Sequence, residues 1–102
     1  MENNKEVFEG YVLDLACIRK YPQDELLERG KAHTRNCALM GHCIESGYGL
    51  VNENGDVRVL DAKATPLVIE KVGGGSREKG IKLRAFREKN EKEMETTAIE
   101  EV

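Results

Sequence analysis

The amino-acid sequence predicts a mainly β, α+β domain: a small five-stranded barrel with short helices between strands 1 and 2 and between strands 3 and 4. Three observations predict it. Apolar residues alternate from Val7 to Cys17, an Asn54-Gly55 pair sits between two apolar runs, and a Thr65-Pro66 helix start is followed by two more alternating segments. At 102 residues the chain reads as a single domain spanning 1–102, with the polar residues 1–6 expected to be disordered.

In order, Val7, Tyr11, Leu13, Leu15 and Cys17 form an alternating set broken by Glu9, which reads as a half-buried first strand with Cys17 on its inward face. Pro22 suits a first helical position, acids follow in the first turn, and Gly30 is the expected stop. From Ala32 to Ser46 there is no proline, and Ala38, Leu39 and Met40 favour a second helix broken at Gly41 and ended at Gly47. Asn54-Gly55 then fits the φ > 0 positions of a type I′ hairpin turn. Thr65 is the expected N-cap of a two-turn helix that stops at Gly73-Gly74-Gly75. Ile81, Leu83 and Ala85 alternate with Lys82, Arg84 and Phe86 as a fourth strand, the KNEKE run is a polar turn, and Met94 to Ile99 is a fifth strand. Five strands with a helix between the third and fourth is the pattern of an OB-like barrel. No internal repeat is visible, and the GGGS stretch is too short to divide domains.

Composition narrows the function classes. Only 39% of residues are apolar, Trp is absent and 34% are charged, so the core is thin and a metal or disulfide staple matters more than in a larger protein. A net charge of −3 offers no general attraction to phosphate backbones, which argues against nucleic acid as a partner. No apolar run is long enough for a membrane span, and MENNKEVFEG lacks the layout of a signal peptide. A cytoplasmic protein and the mature part of an exported one are both compatible with this start.

The chemistry is concentrated in one stretch. All three cysteines and both histidines, Cys17, His33, Cys37, His42 and Cys43, lie within about a quarter of the chain, the last four in HTRNCALMGHC. Thiolate and imidazole bind soft and borderline metals. His33 and Cys37 are four residues apart and share a helix face, whereas Cys43 reaches the same point only if the helix ends near Gly41. Cys17, His33, Cys37 and Cys43 would then close a tetrahedron of the structural-zinc kind. His42 is an alternative ligand or supports one, and Asp14 is placed to orient a ligating imidazole. Iron or copper are the alternative occupants. Each residue also has an ordinary packing role open to it: Cys37 shares a helical stripe with Met40 and Ile44, and Cys17 occupies a position suited to an inert core thiol.

The runs VLDLAC and AHTRNCALMGHCIESGYGLV, with the hairpin ending VRVLD, resemble a family of small uncharacterised bacterial OB-like domains. In that family a first strand ends in a pattern like G-x-x-x-D-x-x-C, and a His and two Cys follow on a short helix. The resemblance spans about Phe8 to Asp61 well and the last forty residues in outline. It implies a small barrel and a presumed metal site at Asp14, Cys17, His33, Cys37 and Cys43, often in exported proteins. The chain departs from the pattern in the later position of Cys43, in the added His42 and in the missing export signal.

The expected function is therefore that of a metal-binding domain, most simply zinc, in a structural, sensing or metal-handling role; a closed donor set leaves no open position for hydrolysis, so no catalysis is expected. The alternatives are a thiol redox protein using Cys37 and Cys43 and an oligonucleotide-binding barrel. The second is disfavoured by a poor stacking set of Phe8, Tyr11, Tyr21, Tyr48 and Phe86. Arg77, Lys79, Lys82, Arg84 and Arg87 read as the solvated face of an edge strand, and Tyr48 as packing on the barrel beside the site.

Overall fold

The computed structural model describes residues 5–75, 77–90 and 93–102, apart from the side chains of residues 42, 90 and 93. The elements run β1 (Lys5–Asp14), α1 (Leu15–Lys20), α2 (Gln23–Ala32), α3 (Arg35–Ala38), α4 (Gly41–Ser46), β2 (Tyr48–Val51), β3 (Val57–Val59), α5 (Ala64–Gly74), β4 (Lys82–Asn90) and β5 (Glu93–Glu101). The strands form one antiparallel sheet in the order β3-β2-β1-β4-β5. The class is α+β with the strands dominant, as expected, but the sheet is open, with β3 and β5 at its edges.

β1 is the central strand, and its phase differs from the alternation read in the sequence. The strand ends at Asp14, whose carboxylate accepts the backbone N–H of Cys17 at 3.0 Å and so caps α1; Cys17 is a helical residue, not a strand one. Val7 is 57% exposed, and the main core takes the even residues Phe8 and Val12. These pack with Leu50, Leu83, Ala85 and Ile99 and with Ala64, Val68 and Val72 of α5. Tyr11 and Leu13, in the odd phase, face a second cluster with Leu26 of α2 and Val51. A strand covered on both faces carries apolar residues in both phases, so alternation alone does not reveal which face meets the larger core.

The helical region positions the candidate ligands. α2 continues past Gly30 to Ala32, with Pro22 before its first residue and His33 after its last. Gly30 is buried because the helix presses on the sheet there: a Cβ would stand 2.8 Å from Tyr11 Cβ and 3.0 Å from Val51 Cγ1. Gly30→Ala is expected to lower stability by about 1–3 kcal/mol through overpacking, read as a reduced urea midpoint at unchanged slope. The single helix expected from Ala32 to Ser46 is not formed: Ala32 ends α2, His33 and Thr34 are extended, and α3 and α4 follow, so His33 and Cys37 do not share a helix face. Thr34 Oγ1 caps α3 through Cys37 N–H at 3.1 Å, the chain turns at Leu39 and Met40, and Gly41 opens α4 instead of breaking a longer helix. Gly47, at φ +88°, ends it as expected.

The β2–β3 hairpin forms where expected, with a longer turn than type I′. Asn52 Oδ1 accepts the N–H groups of Asn54 at 3.0 Å and Asp56 at 2.9 Å, and Gly55 takes φ +83°. The Asn52 side chain thus organises a loop that two residues would otherwise have to close. α5 starts at Ala64, before the expected Thr65 cap; Pro66 falls in its first turn, where an N–H is not needed, and the helix includes Gly73 and Gly74.

Ile81, just before β4, and Leu83 and Ala85 within it face the core as expected, joined by the buried Arg87. β4 is flanked by β1 and β5, so its cations are not an edge-strand face. Arg84 pairs with Glu9 and Glu100, Lys82 with Glu53, and Arg87 with Glu6. Part of the KNEKE turn, residues 91 and 92, and residues 1–4 of the expected disordered start lie outside the described residues; Lys5 and Glu6 belong to β1 and pair with Glu88 and Arg87. Among the described residues no helix is long and apolar enough to cross a membrane.

Candidate metal centre

The end of β1 is the hub. Asp14 is fully buried at the strand-to-helix corner, where an uncompensated carboxylate would cost several kcal/mol (on the order of 5). Donors from α1, the end of α2 and α4 compensate it. Oδ2 accepts Cys17 N–H at 3.0 Å, Oδ1 meets His33 Nε2 at 3.0 Å, and the thiols of Cys17 and Cys43 hydrogen-bond to the same carboxylate. Burial pushes the Asp14 carboxyl up, but these hydrogen bonds and the charge of His33 together outweigh it and hold the group below its ordinary value.

One ligand atom from each of Asp14, Cys17 and His33 lies within 4.8 Å of the others. His33 follows the last residue of α2, Cys17 lies in the first turn of α1, and both side chains meet at the Asp14 corner. With Nε2 turned to the carboxylate, Nδ1 is the imidazole nitrogen left for another partner. Cys37, on α3, lines a cavity of about 280 Å³ together with Cys17 and His33; Leu13, Tyr21, Arg29, Ala32 and Thr34 complete its wall. Cys43, on α4, is 1% exposed, and neither it nor Cys37 joins the group whose ligand atoms lie within 4.8 Å of one another. The His42 side chain lies outside the described residues.

Burial, then the hydrogen bond and charge of Asp14, push the Cys17 thiol up to about 11. Burial and the same carboxylate push Cys43 up to about 12. Tyr48, buried with its hydroxyl donating to Ala38 O at 2.5 Å, is raised to about 12 by burial and by the nearby Cys43 and Asp14. Its expected packing role is therefore what the fold uses. All three cysteines are free thiols.

Sequence reasoning placed Asp14 behind the imidazole; its further roles, as helix cap and acceptor of two thiols, were hidden because they required Cys17 to leave the strand. The D-L-A-C run, an Asp three residues before the N–H it caps, is the signal that would have shown the turn. No protein-family model, curated protein or solved structure matches the chain.

Proposed function

We propose that the chain binds one metal ion, zinc in preference to iron or copper, in a structural, sensing or metal-handling role. Cys17, His33, Cys37 and Cys43 are the proposed donors, and Asp14 fixes the His33 ring through Nε2. The observation that carries this reading is the buried Asp14/Cys17/His33 group with its ligand atoms within 4.8 Å, in a thin-cored domain where a bound ion contributes folding energy directly. The carboxylate–imidazole contact is the arrangement that usually supports a metal-bound histidine. We further propose that the sheet is an OB-type barrel left open between β3 and β5, akin to the bacterial family it resembles. In support, Thr96 N–H and Oγ1 of β5 donate to Oδ1 of Asp61, two residues beyond β3, at 2.9 and 2.6 Å, and Arg87 Nη2 of β4 donates to Val59 O of β3 at 3.5 Å.

Thiol redox chemistry is less well supported. It needs a thiolate at neutral pH, and of the Cys37/Cys43 pair the Cys43 thiol is buried and pushed up to about 12. Oligonucleotide binding is opposed by the pairing of Lys82, Arg84 and Arg87 with acids. Elemental analysis of natively expressed, chelator-free protein is expected to give about one zinc per chain, with thiols that react with a disulfide reagent only after chelation. Metal-free protein that also fails to take up zinc on titration would overturn the reading.

A further inference from the structure

The β2–β3 loop carries the one Asn-Gly step in the chain, Asn54-Gly55. An asparagine side chain is attacked most readily by the backbone nitrogen that follows it when the next residue has no Cβ to block the approach, and asparagine is accordingly among the heat-labile residues. Here Asn54 is exposed and Gly55 takes φ +83°. Apart from its chain neighbours, nothing lies within 4 Å of where a Cβ of Gly55 would stand, which leaves the step open to solvent. The attacking nitrogen is nevertheless occupied. Gly55 N–H donates to Asn52 O at 3.0 Å, and Asn52 N–H donates to Asp56 O at 2.9 Å. Asn52 Oδ1 accepts the N–H groups of Asn54 at 3.0 Å and Asp56 at 2.9 Å. One residue, Asn52, therefore holds the backbone around the labile step.

We propose that Asn54 is a site of self-modification, where the side-chain amide is lost to water through attack by the Gly55 nitrogen, and that Asn52 sets the rate by holding that nitrogen in the turn. In the first step the Gly55 N–H gives its proton to hydroxide and the nitrogen attacks Asn54 Cγ. The N–Cγ bond forms, the Cγ–Nδ2 bond breaks, and ammonia leaves with a proton taken from water. Water then opens the cyclic imide at either carbonyl carbon, giving aspartate or isoaspartate, and nothing is oxidised or reduced. The Gly55 proton is not free to leave while it is bound to Asn52 O, so the reaction runs through the local openings in which the loop lets go. Both products place a new negative charge between Glu53 and Asp56. The isoaspartyl product also lengthens the main chain, so Asn52 Oδ1 no longer spans from Asn54 to Asp56, and the 3.3 Å contact of Gln23 Nε2 with Gly55 O is displaced. The site lies outside the metal-binding reading and does not depend on it.

The test is prolonged warm incubation of the full chain at neutral pH, with peptide mapping by mass spectrometry to locate the amide-to-acid mass change and to separate isoaspartate from aspartate. Conversion is expected at Asn54 ahead of every other asparagine, and more slowly in the folded chain than in urea. Folded Asn52→Ala should convert about fivefold faster than folded wild type, the worth of one hydrogen bond, and at the wild-type rate in urea. Hydrogen exchange at the Gly55 amide should quicken by the same factor. Asn52→Asp keeps the accepting oxygen and should stay within about twofold of the wild-type rate, which keeps the assignment testable if Asn52→Ala does not fold. Asn54→Gln should abolish conversion at this position, because the longer side chain has to close a larger ring. An Asn54 amide still intact in the folded chain once the urea-unfolded chain has converted would overturn the site. Equal folded-state rates in wild type and Asn52→Ala, or a folded Asn52→Asp converting as fast as the unfolded chain, would overturn the role given to Asn52.

Discussion

Asp14→Ala is expected to remove about 3–5 kcal/mol of folding stability, a large part of the roughly 5–15 kcal/mol typical of a small domain. The carboxylate is fully buried and accepts Cys17 N–H, His33 Nε2 and the Cys17 and Cys43 thiols. Deleting it strands those donors together and uncaps α1. Asp14→Asn keeps a capping oxygen but meets His33 Nε2 with one acceptor fewer, so a smaller loss of about 1–3 kcal/mol is expected. In both variants zinc affinity should fall about 10–100-fold, since the imidazole loses its support. Urea unfolding of metal-free protein gives the stability and chelator competition the affinity; an Asp14→Ala change within about 0.5 kcal/mol of wild type would show that the corner is not organised by this group.

The same residue sets an acid limit. Its folded value lies below the ordinary one, so its contribution is complete above the unfolded value, about 3.9, and is lost as pH falls through the folded value. Metal-free wild type should therefore lose stability below about pH 4, and Asp14→Asn should flatten that limb.

The second large effect is on metal affinity against pH. Thiols raised to about 11 at Cys17 and about 12 at Cys43 are protonated throughout the neutral range, so each must release its proton when its sulfur becomes a ligand. Each such proton adds a factor of about ten in apparent affinity per pH unit, and the two together about a hundred per unit between pH 7 and 9. Competition against a chromophoric chelator at three pH values reads the slope directly, and calorimetry in buffers of different ionisation enthalpy counts the protons. A slope near zero would mean that neither thiol is a donor.

How far each feature was legible follows from the range of the interactions behind it. The β2–β3 hairpin depends on Asn52 and Gly55, which act on their own loop, so it was visible locally although Asn52 changed the turn length. Ile81, just before β4, and Leu83 and Ala85 within it alternate in the core-facing phase, and their direction is legible from the sequence although Phe86 lies in the other phase. β1 was misread because its neighbours cover both faces, a fact no local pattern contains. Likewise Arg84 and Arg87 look like exposed edge cations until β1 supplies Glu9 and Glu6 from 75 and 81 residues away.

By itself the amino-acid sequence determined the strand-rich class, the hairpin and the crowding of every cysteine and histidine into about one quarter of the chain, because propensity, turn chemistry and side-chain type are properties of short segments. Only the tertiary structure decided that the sheet stays open, that Cys17 turns onto a helix, and that Asp14 sits where His33, Cys17 and Cys43 converge. The physical reason is that a buried carboxylate is tolerated only when enough donors meet it, and those donors come from α1, the end of α2 and α4, whose docking depends on the packed core.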